Sequence, residues 1–425
     1  MEWLIFGAIV LFTVIRVPIA FALVLTAACF IVVKDVGSLS VIPLTMFGGA
    51  SSFPLLAIPL FILAGGLMET SGISLRLVNL AQSVVGFIRG GLGMVTVVAT
   101  MIQSEISGSS VADAAAIGNV VIPTMEKRGY PRALSAAIVS NAASAAILIP
   151  PSIPMIIYAW MAEASVAKLF LAGFVPGFLA CAAMMGVVYF YARKLNLPVE
   201  QRFNVRAVGA ATVRAGWALS IPAIIWAGIF LSVATATEVG ALAVLAAAAI
   251  GLFIYRELNG REMVRIFRDS AQQTAVVMMI VAASAVLGWV LTSEQIPQKL
   301  AGLVLQTTHN KYLVLLFLNL FFFVAGMFLH SAAAIILIVP IVMPLIRQLG
   351  IDPIHFGIIV TINLGVGQQT PPVATVLFTT ASIARVPFLD VFRAGWPFTV
   401  VLALVTLLVT YVPWLSLSVL DLVRW

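Results

Sequence analysis

The chain has 425 residues, 62% of them hydrophobic and only 9% charged, with a formal net charge of +7 and a mean hydropathy of +1.14. A soluble domain carries roughly 25% charged residues, so the composition excludes a soluble globular protein and predicts an all-α polytopic membrane protein. The positive charge does not point to nucleic acid. Arg193, Lys194, Arg202, Arg206 and Arg214 crowd one short segment and Arg256, Arg261, Arg265 and Arg268 another, the pattern of two cytoplasmic loops.

In chain order, the first apolar segment spans 3–15 and follows only Met1 and Glu2. It has no basic n-region and no small-x-small cleavage site, so it reads as a retained helix. The sequence predicts scaffold helices within 1–70 (3–15, 18–33 and 53–69) and an amphipathic arm at 72–91, "GISLRLVNLAQSVVGFIRGG", along the membrane surface. The apolar stretch 92–125 exceeds the ~20 residues of one straight span and predicts a re-entrant hairpin. A broken helix follows at 132–162, cut by "IPPSIP" at 149–154, and then a helix at 168–193. Proline lacks an amide proton and clashes one turn back, so three in six residues end any helix.

A basic linker, 196–214, leads to 215–425, where the plan recurs. Scaffold helices are predicted within 217–292 (217–231, 239–255 and 271–292), an arm at 296–311 and a hairpin at 312–346. A broken helix at 355–382 is cut by "TPP" at 370–372, and a last helix covers 388–415. The total is about ten transmembrane helices plus two re-entrant hairpins. Landmarks recur at an offset of 221 or 222: Pro123 with Pro344, Gly129 with Gly350, Asn141 with Asn363, Pro150–Pro151 with Pro371–Pro372, Gly173 with Gly395 and Pro176 with Pro397. Residues 1–195 and 215–425 are thus two repeats, and paired broken helices in two halves point to a secondary transporter's binding site at the repeat interface.

Each predicted hairpin carries a polar notch, "SEISGSSVAD" at 104–113 and "GMFLHSA" at 326–332. Freed carbonyls with hydroxyls and one carboxylate make a hard oxygen cage suited to a small cation. For a first Na⁺ site the candidates are Ser107, Gly108, Ser109, Asp113, Asn141, Ser144 and the carbonyl of Pro150. An intramembrane carboxylate makes Asp113 the sharpest of these. Small residues at such positions equally suit close helix packing, and Glu105 suits the aqueous edge of the hairpin. A second site draws on Gly326, Asn363, Gly365, Gly367, Thr370 and Pro371, with no acid nearby. Solute contacts fall to Ser110, Pro151, Ser152, His330, Gln368 and Gln369, with a structural role the alternative for His330. The coupling ion is read as Na⁺, with protons through Asp113 as the alternative.

No GxxxxGK[ST] loop, HExxH or CxxC occurs, and Cys29 and Cys181 stand singly in apolar segments. ATP drive, a zinc centre and a disulfide framework are therefore not indicated, and no cofactor is expected. A membrane enzyme, channel or receptor fits less well, because none of these needs paired broken helices.

The stretches "SGSSVADAAAIG", "IPPSIPMIIY" and "INLGVGQQTPPVA", with "KLFLAGFVPG" and "MPLIRQLGIDPIHFG", resemble the signatures of the large membrane subunit of TRAP (tripartite ATP-independent periplasmic) transporters, the DctM type. The resemblance runs along essentially the whole chain. It departs at "GQQTPPVA", where many similar members carry an apolar pair before TPP and a glycine after PPV. It implies two inverted repeats and a Na⁺-driven elevator importer in a bacterial or archaeal inner membrane. Hairpins and broken helices would move against a scaffold of outer helices and arms. It also implies a separate small four-helix membrane subunit, a periplasmic solute-binding protein and surrounding lipid. The small subunit is expected on another chain because this one begins with the first helix of repeat one. The implied solute is an organic acid, sialic acid or a sugar acid first and a C4-dicarboxylate next. The alternative is a proton-coupled or binding-protein-independent organic anion transporter.

Overall fold

The computed structural model describes residues 7–8, 11–12, 15, 17–35, 37–107, 109–197, 199, 204–231 and 233–422, with backbone alone at 105–107 and 422. Most of the helix expected at 3–15, Gly108, Arg202 and the side chains of Glu105 and Ser107 thus lie outside the described residues. All regular structure among the described residues is helical.

The first group of helices is α1 (Ile19–Lys34), α2 (Val41–Ala50) and α3 (Ala57–Thr70), the last entered through a 3₁₀ turn at Phe53–Leu56. Helix α2 was not anticipated: Pro43 and the Gly48–Gly49 pair mask its apolar run. An arm helix, α4 (Ile73–Val85), buries Ile73, Leu77 and Ala81, one face at four-residue spacing. Its start is pinned to the other half of the chain, where Arg76 pairs with Glu257 at 2.7 Å and stacks on the Tyr255 ring.

Next come α5 (Gly91–Ser107) and α6 (Ser110–Lys127), packed on each other, then α7 (Arg132–Ala146), α8 (Ile153–Met161) and α9 (Val166–Lys194). The segment expected as a plain linker, 196–214, contains a helix, α10 (Val205–Arg214), capped by Asn204 and bent 71° from α11 (Gly216–Phe230).

Helix α12 (Ala236–Ala249) starts at a reciprocal Thr235–Glu238 capping box and runs on through a π turn, Ile250–Ile254. Helix α13 spans Gly260–Ser293, 34 residues, and corrects the expectation of a loop carrying Arg261, Arg265 and Arg268 with a helix only from 271. Asn259 and Glu262 cap its start reciprocally, so the arginines ride exposed on its first turns. A second arm, α14 (Ile296–Thr307), leads to α15 (Lys311–Phe328), α16 (Ser331–Gln348), α17 (Pro353–Gly367), α18 (Thr375–Ala384), α19 (Phe388–Tyr411) and the short α20 (Trp414–Leu417).

Among the described residues seven helices are long and apolar enough to cross a membrane, or eight with the bent pair counted as one span, against about ten expected, of which the first, 3–15, lies mostly outside the described residues. The rest of the shortfall has a physical origin. The interrupted helices are divided into pieces of 15 and 9 residues and of 15 and 10, and α1 has only 16.

The helices pack in two groups. Helix α13 lies along α1, α2 and α3, and α12 packs on α3. The second group gathers α5 to α9 with α15 to α19, and here backbones approach closely. A Cβ on Gly365 would sit 2.7 Å from the Ser144 carbonyl oxygen, and one on Gly326 3.1 Å from the Gly367 Cα. Such contacts leave no room for a side chain, so the glycines set the crossing of α17 with α7 and with α15.

Gly365→Ala is therefore expected to destabilise the protein by about 1–3 kcal/mol through overpacking. Gly302→Ala, where an added Cβ meets nothing within 4 Å, should stabilise slightly, by about 0.5–1 kcal/mol. Melting of the purified protein in detergent checks both; equal shifts would contradict the close crossing.

Candidate functional site

Two interruptions organise the second group. Helix α7 is buried from Leu134 onward and tightens at its end, with Leu148 N–H on the Ala145 carbonyl at 3.3 Å and Ile149 N–H on Ala146 at 2.9 Å. Pro150, Pro151 and Pro154 then offer no N–H. Among the described residues, the carbonyls of Ile147 through Pro151 accept no hydrogen bond, although the whole stretch 141–159 is buried.

The second interruption repeats the pattern. Gln369 N–H reaches Val366 at 3.1 Å, Thr370 N–H reaches Gly367 at 2.9 Å, and the carbonyls of 368–373 accept none among the described residues. Pro150–Pro151 and Pro371–Pro372 are both cis. The two differ in cover: the first break is sealed inside the protein, whereas Pro372 and Val373 in the second are exposed.

The tip of the α15–α16 pair meets the second break, and α5 reaches the end of α7 at the first, where Ser104 donates its hydroxyl to the Ala146 carbonyl at 2.9 Å. Asp113 lies in the first turn of α6, fully buried, with its N–H on the Ser109 carbonyl at 2.9 Å. The positive end of α6 favours its carboxylate there. Ser110 is the first residue of α6 and Ser331 the first of α16, and both are buried. The hydroxyls of Ser110 and Ser152 are buried without a partner. Gln368 donates its amide N–H to the Ser331 hydroxyl. His330 stands exposed just before α16, its carbonyl accepting from Ala334 N–H at 3.0 Å. Ala374 N–H reaches the Met327 carbonyl at 3.4 Å, tying the second break to the end of α15.

The two breaks are also joined to each other. Gln369 crosses to α7, giving its amide hydrogens to the Ser140 carbonyl at 2.9 Å and to the Ser144 hydroxyl. A carbonyl only accepts, so the amide must present its nitrogen there. Its oxygen is left buried with no donor, as is that of Gln368.

Other candidates have different neighbours. Asn141 accepts from Thr399 at 3.1 Å and donates to its own helix at Ala137, so its amide faces α19. Asn363 donates to Asn319 and to Ile359, and Asn319 donates to Thr410 at 3.1 Å. Thr370 turns its hydroxyl back on Val366 at 3.3 Å, which leaves the oxygen's lone pairs for a ligand. Gly326, Gly365 and Gly367 serve the close crossings, while Pro150, Pro151 and Pro371 supply carbonyls.

Sequence reasoning passed over Asn319, Thr399 and Thr410. Asn319, the lone amide in "LVLLFLNLFFFV", carried a readable signal; the two threonines did not. Among the described residues no three His, Cys, Asp or Glu converge. A cleft of about 490 Å³ lies elsewhere, between the end of α8, Pro340 and the α13 residues Ser284, Gly288 and Thr292. It lies at part of the boundary between the two packing groups, which also touch where α13 meets α16 and α3 meets α5.

Residues 6–415 match the family model described as "Tripartite ATP-independent periplasmic transporter, DctM component". The chain belongs to this family. It is 39% identical over 394 residues to the C4-dicarboxylate TRAP transporter large permease protein DctM of Pseudomonas aeruginosa, covering 93% of this chain and 92% of that protein. It is 37% identical to the isethionate TRAP transporter permease protein DctMQ of Oleidesulfovibrio alaskensis, over 96% of this chain and 64% of that longer protein. Identity to the sialic acid TRAP transporter large permease protein SiaM of Vibrio cholerae is 34%, over 95% of each. In fold the TRAP permease chain resembles the YdaH transporter of Alcanivorax borkumensis, with a TM-score of 0.66 at 15% identity and 88% coverage of both chains. It is a multi-pass membrane transporter subunit, not an enzyme.

Gln369→Met keeps the side chain's length and removes the bonds that join the halves. It is expected to destabilise the protein by about 1–3 kcal/mol, whereas Gln348→Met, at an exposed helix end, should be neutral. Melting in detergent with both variants checks this.

Proposed function

We propose that this TRAP permease is a Na⁺-coupled importer of a carboxylate-bearing organic acid, working by an elevator mechanism in a bacterial or archaeal cytoplasmic membrane. The supporting observation is the pair of donor-free carbonyl runs at the two breaks, joined by Gln369. Unpaired carbonyls cost several kcal/mol each in hydrocarbon, and small cations repay that cost. The two halves are inverted repeats. In the first, the Ser109–Asp113 turn and the carbonyls around Pro150, with Ser107, Gly108, Asn141 and Ser144, form one ion site. In the second, Thr370 and the carbonyls from Gly365 to Pro371, with Gly326 and Asn363, form the other. The hairpins α5–α6 and α15–α16 and the broken helices move as one body, and α1–α3 and α11–α13 stay as scaffold.

The small membrane subunit is a separate chain, and a periplasmic binding protein delivers the solute. That subunit's counterpart in the Oleidesulfovibrio relative is consistent with the fused name DctMQ. Ser110, Ser152, His330, Gln368 and Gln369 contact the solute. The neutral amides and hydroxyls suit a hydroxylated acid, so sugar acids and sialic acid head the panel, with C4-dicarboxylates second. Coupling through protons is the rival reading, favoured only by the full burial of Asp113.

The test is uptake into proteoliposomes holding all three components, with Na⁺ and pH gradients imposed separately and a panel of organic acids. Asp113→Asn should abolish Na⁺-driven uptake without preventing assembly. Thr370→Val should raise the half-saturating Na⁺ concentration about 10- to 150-fold, the worth of one hydroxyl contact to a charged partner; Thr379→Val should change it little. Wild-type Na⁺ dependence in both site variants, or uptake driven by a pH gradient without Na⁺, would contradict the reading.

A further inference from the structure

Helix α10 has no buried residue among Val205–Arg214; it touches α4, yet only Val208 and Ala211 are half-buried, and a ten-residue helix is marginal in water without a wider surface to lie on. It turns 71° away from α11, which packs on α12, and so runs near the membrane plane if α11 runs near the normal. At about 100° per residue, Val205, Val208, Thr212 and Val213 share one side, with Arg206 at its edge beside Val213 and Arg214 on the opposite side. Val205 and Val213 are 72% and 80% exposed, and Trp217, at the start of α11, is 58% exposed. An exposed tryptophan, an apolar stripe and arginines at its edge and on the opposite face are the composition of an interfacial helix. In sequence the stretch 193–214 carries five basic residues and one acid, Glu200, a strong positive excess.

Two kinds of surface could cover the valines, protein or lipid. The charge decides between them: the basic excess matches anionic headgroups, which crowd the cytoplasmic leaflet where such residues accumulate. We propose that α10 lies in the cytoplasmic membrane interface with its valines in the acyl region, and that Arg206 and Arg214 bind anionic phospholipid headgroups. The arm α4 packs on α10 and is pinned in turn to Glu257 and Tyr255. Lipid held at α10 therefore fixes the depth of the arm and of the first packing group. That consequence for transport rests on the elevator reading, whereas the lipid contact itself does not.

The experiment places a bimane label at Val213→Cys in a chain carrying Cys29→Ala and Cys181→Ala. The full chain with its small subunit is reconstituted into phosphatidylcholine vesicles holding a minority of phosphatidylglycerol. Brominated acyl chains are carried either by the phosphatidylglycerol or by an equal amount of phosphatidylcholine. The expected result is stronger quenching by brominated phosphatidylglycerol. The fraction giving half-maximal quenching should rise about fivefold for each of Arg206→Gln and Arg214→Gln. Equal quenching by the two lipids would overturn the headgroup preference. Quenching by neither would put α10 against protein and overturn the proposal altogether. Because no solute or Na⁺ enters the measurement, its failure is distinct from failure of the transport reading.

Discussion

A backbone carbonyl at membrane depth must find a donor or a cation, and a helix supplies the donor only while every residue four positions on carries an N–H. Prolines at 150, 151 and 154, and at 371 and 372, withdraw that supply at two places. The surrounding structure follows from where the resulting bare carbonyls can be kept. The first run is enclosed on every side by the chain itself. Gly173 lies so near that a Cβ there would meet the Leu148 carbonyl oxygen at 2.5 Å, and one on Gly365 would meet the Ser144 carbonyl oxygen at 2.7 Å. The second run opens at Pro372 and Val373. One break is closed and the other partly open in a single arrangement of the same repeat.

The Gln369 bridge gives that asymmetry a mechanical meaning. By reaching Ser140 and Ser144 from the opposite half, it makes the two broken helices one unit, and the Asn363–Asn319–Thr410 chain fastens the same unit to α15 and α19. Among the described residues no side-chain hydrogen bond joins this unit to α13, and a cleft lies between α13 and the end of α8. Polar links inside a body and a cleft at its edge are what an elevator needs, and they are the grounds for that proposal.

The breaks themselves were legible because proline acts locally: no tertiary contact restores a missing N–H. The Gly129 and Gly350 landmarks were legible for a similar reason. Both adopt positive φ, +87° and +65°, where a side chain would be strained. Partner choice was not legible. That the Asn141 amide accepts from Thr399 and the Asn363 amide donates to Asn319 is a fact of three-dimensional packing between helices far apart in the chain. The start of α13 was hidden because charged residues at its N-terminus imitate a loop, and only the Asn259–Glu262 spacing betrayed the cap. Helix α10 was hidden because Val205 and Val213 are exposed and Val208 only half-buried, so no buried stripe announced it.

The most direct test of the central claim is a pair of distance measurements by pulsed electron spin resonance on the reconstituted complex. One pair of labels, at Lys127 and Gln348, spans the unit built from both broken helices and both hairpins. The other, at Gln348 and Thr292, spans the cleft to α13. Switching between Na⁺ with solute and neither should leave the first distance unchanged and shift the second. A first distance that changes while the second stays fixed would mean that the halves move against each other at the Gln369 crossing, and would contradict the account.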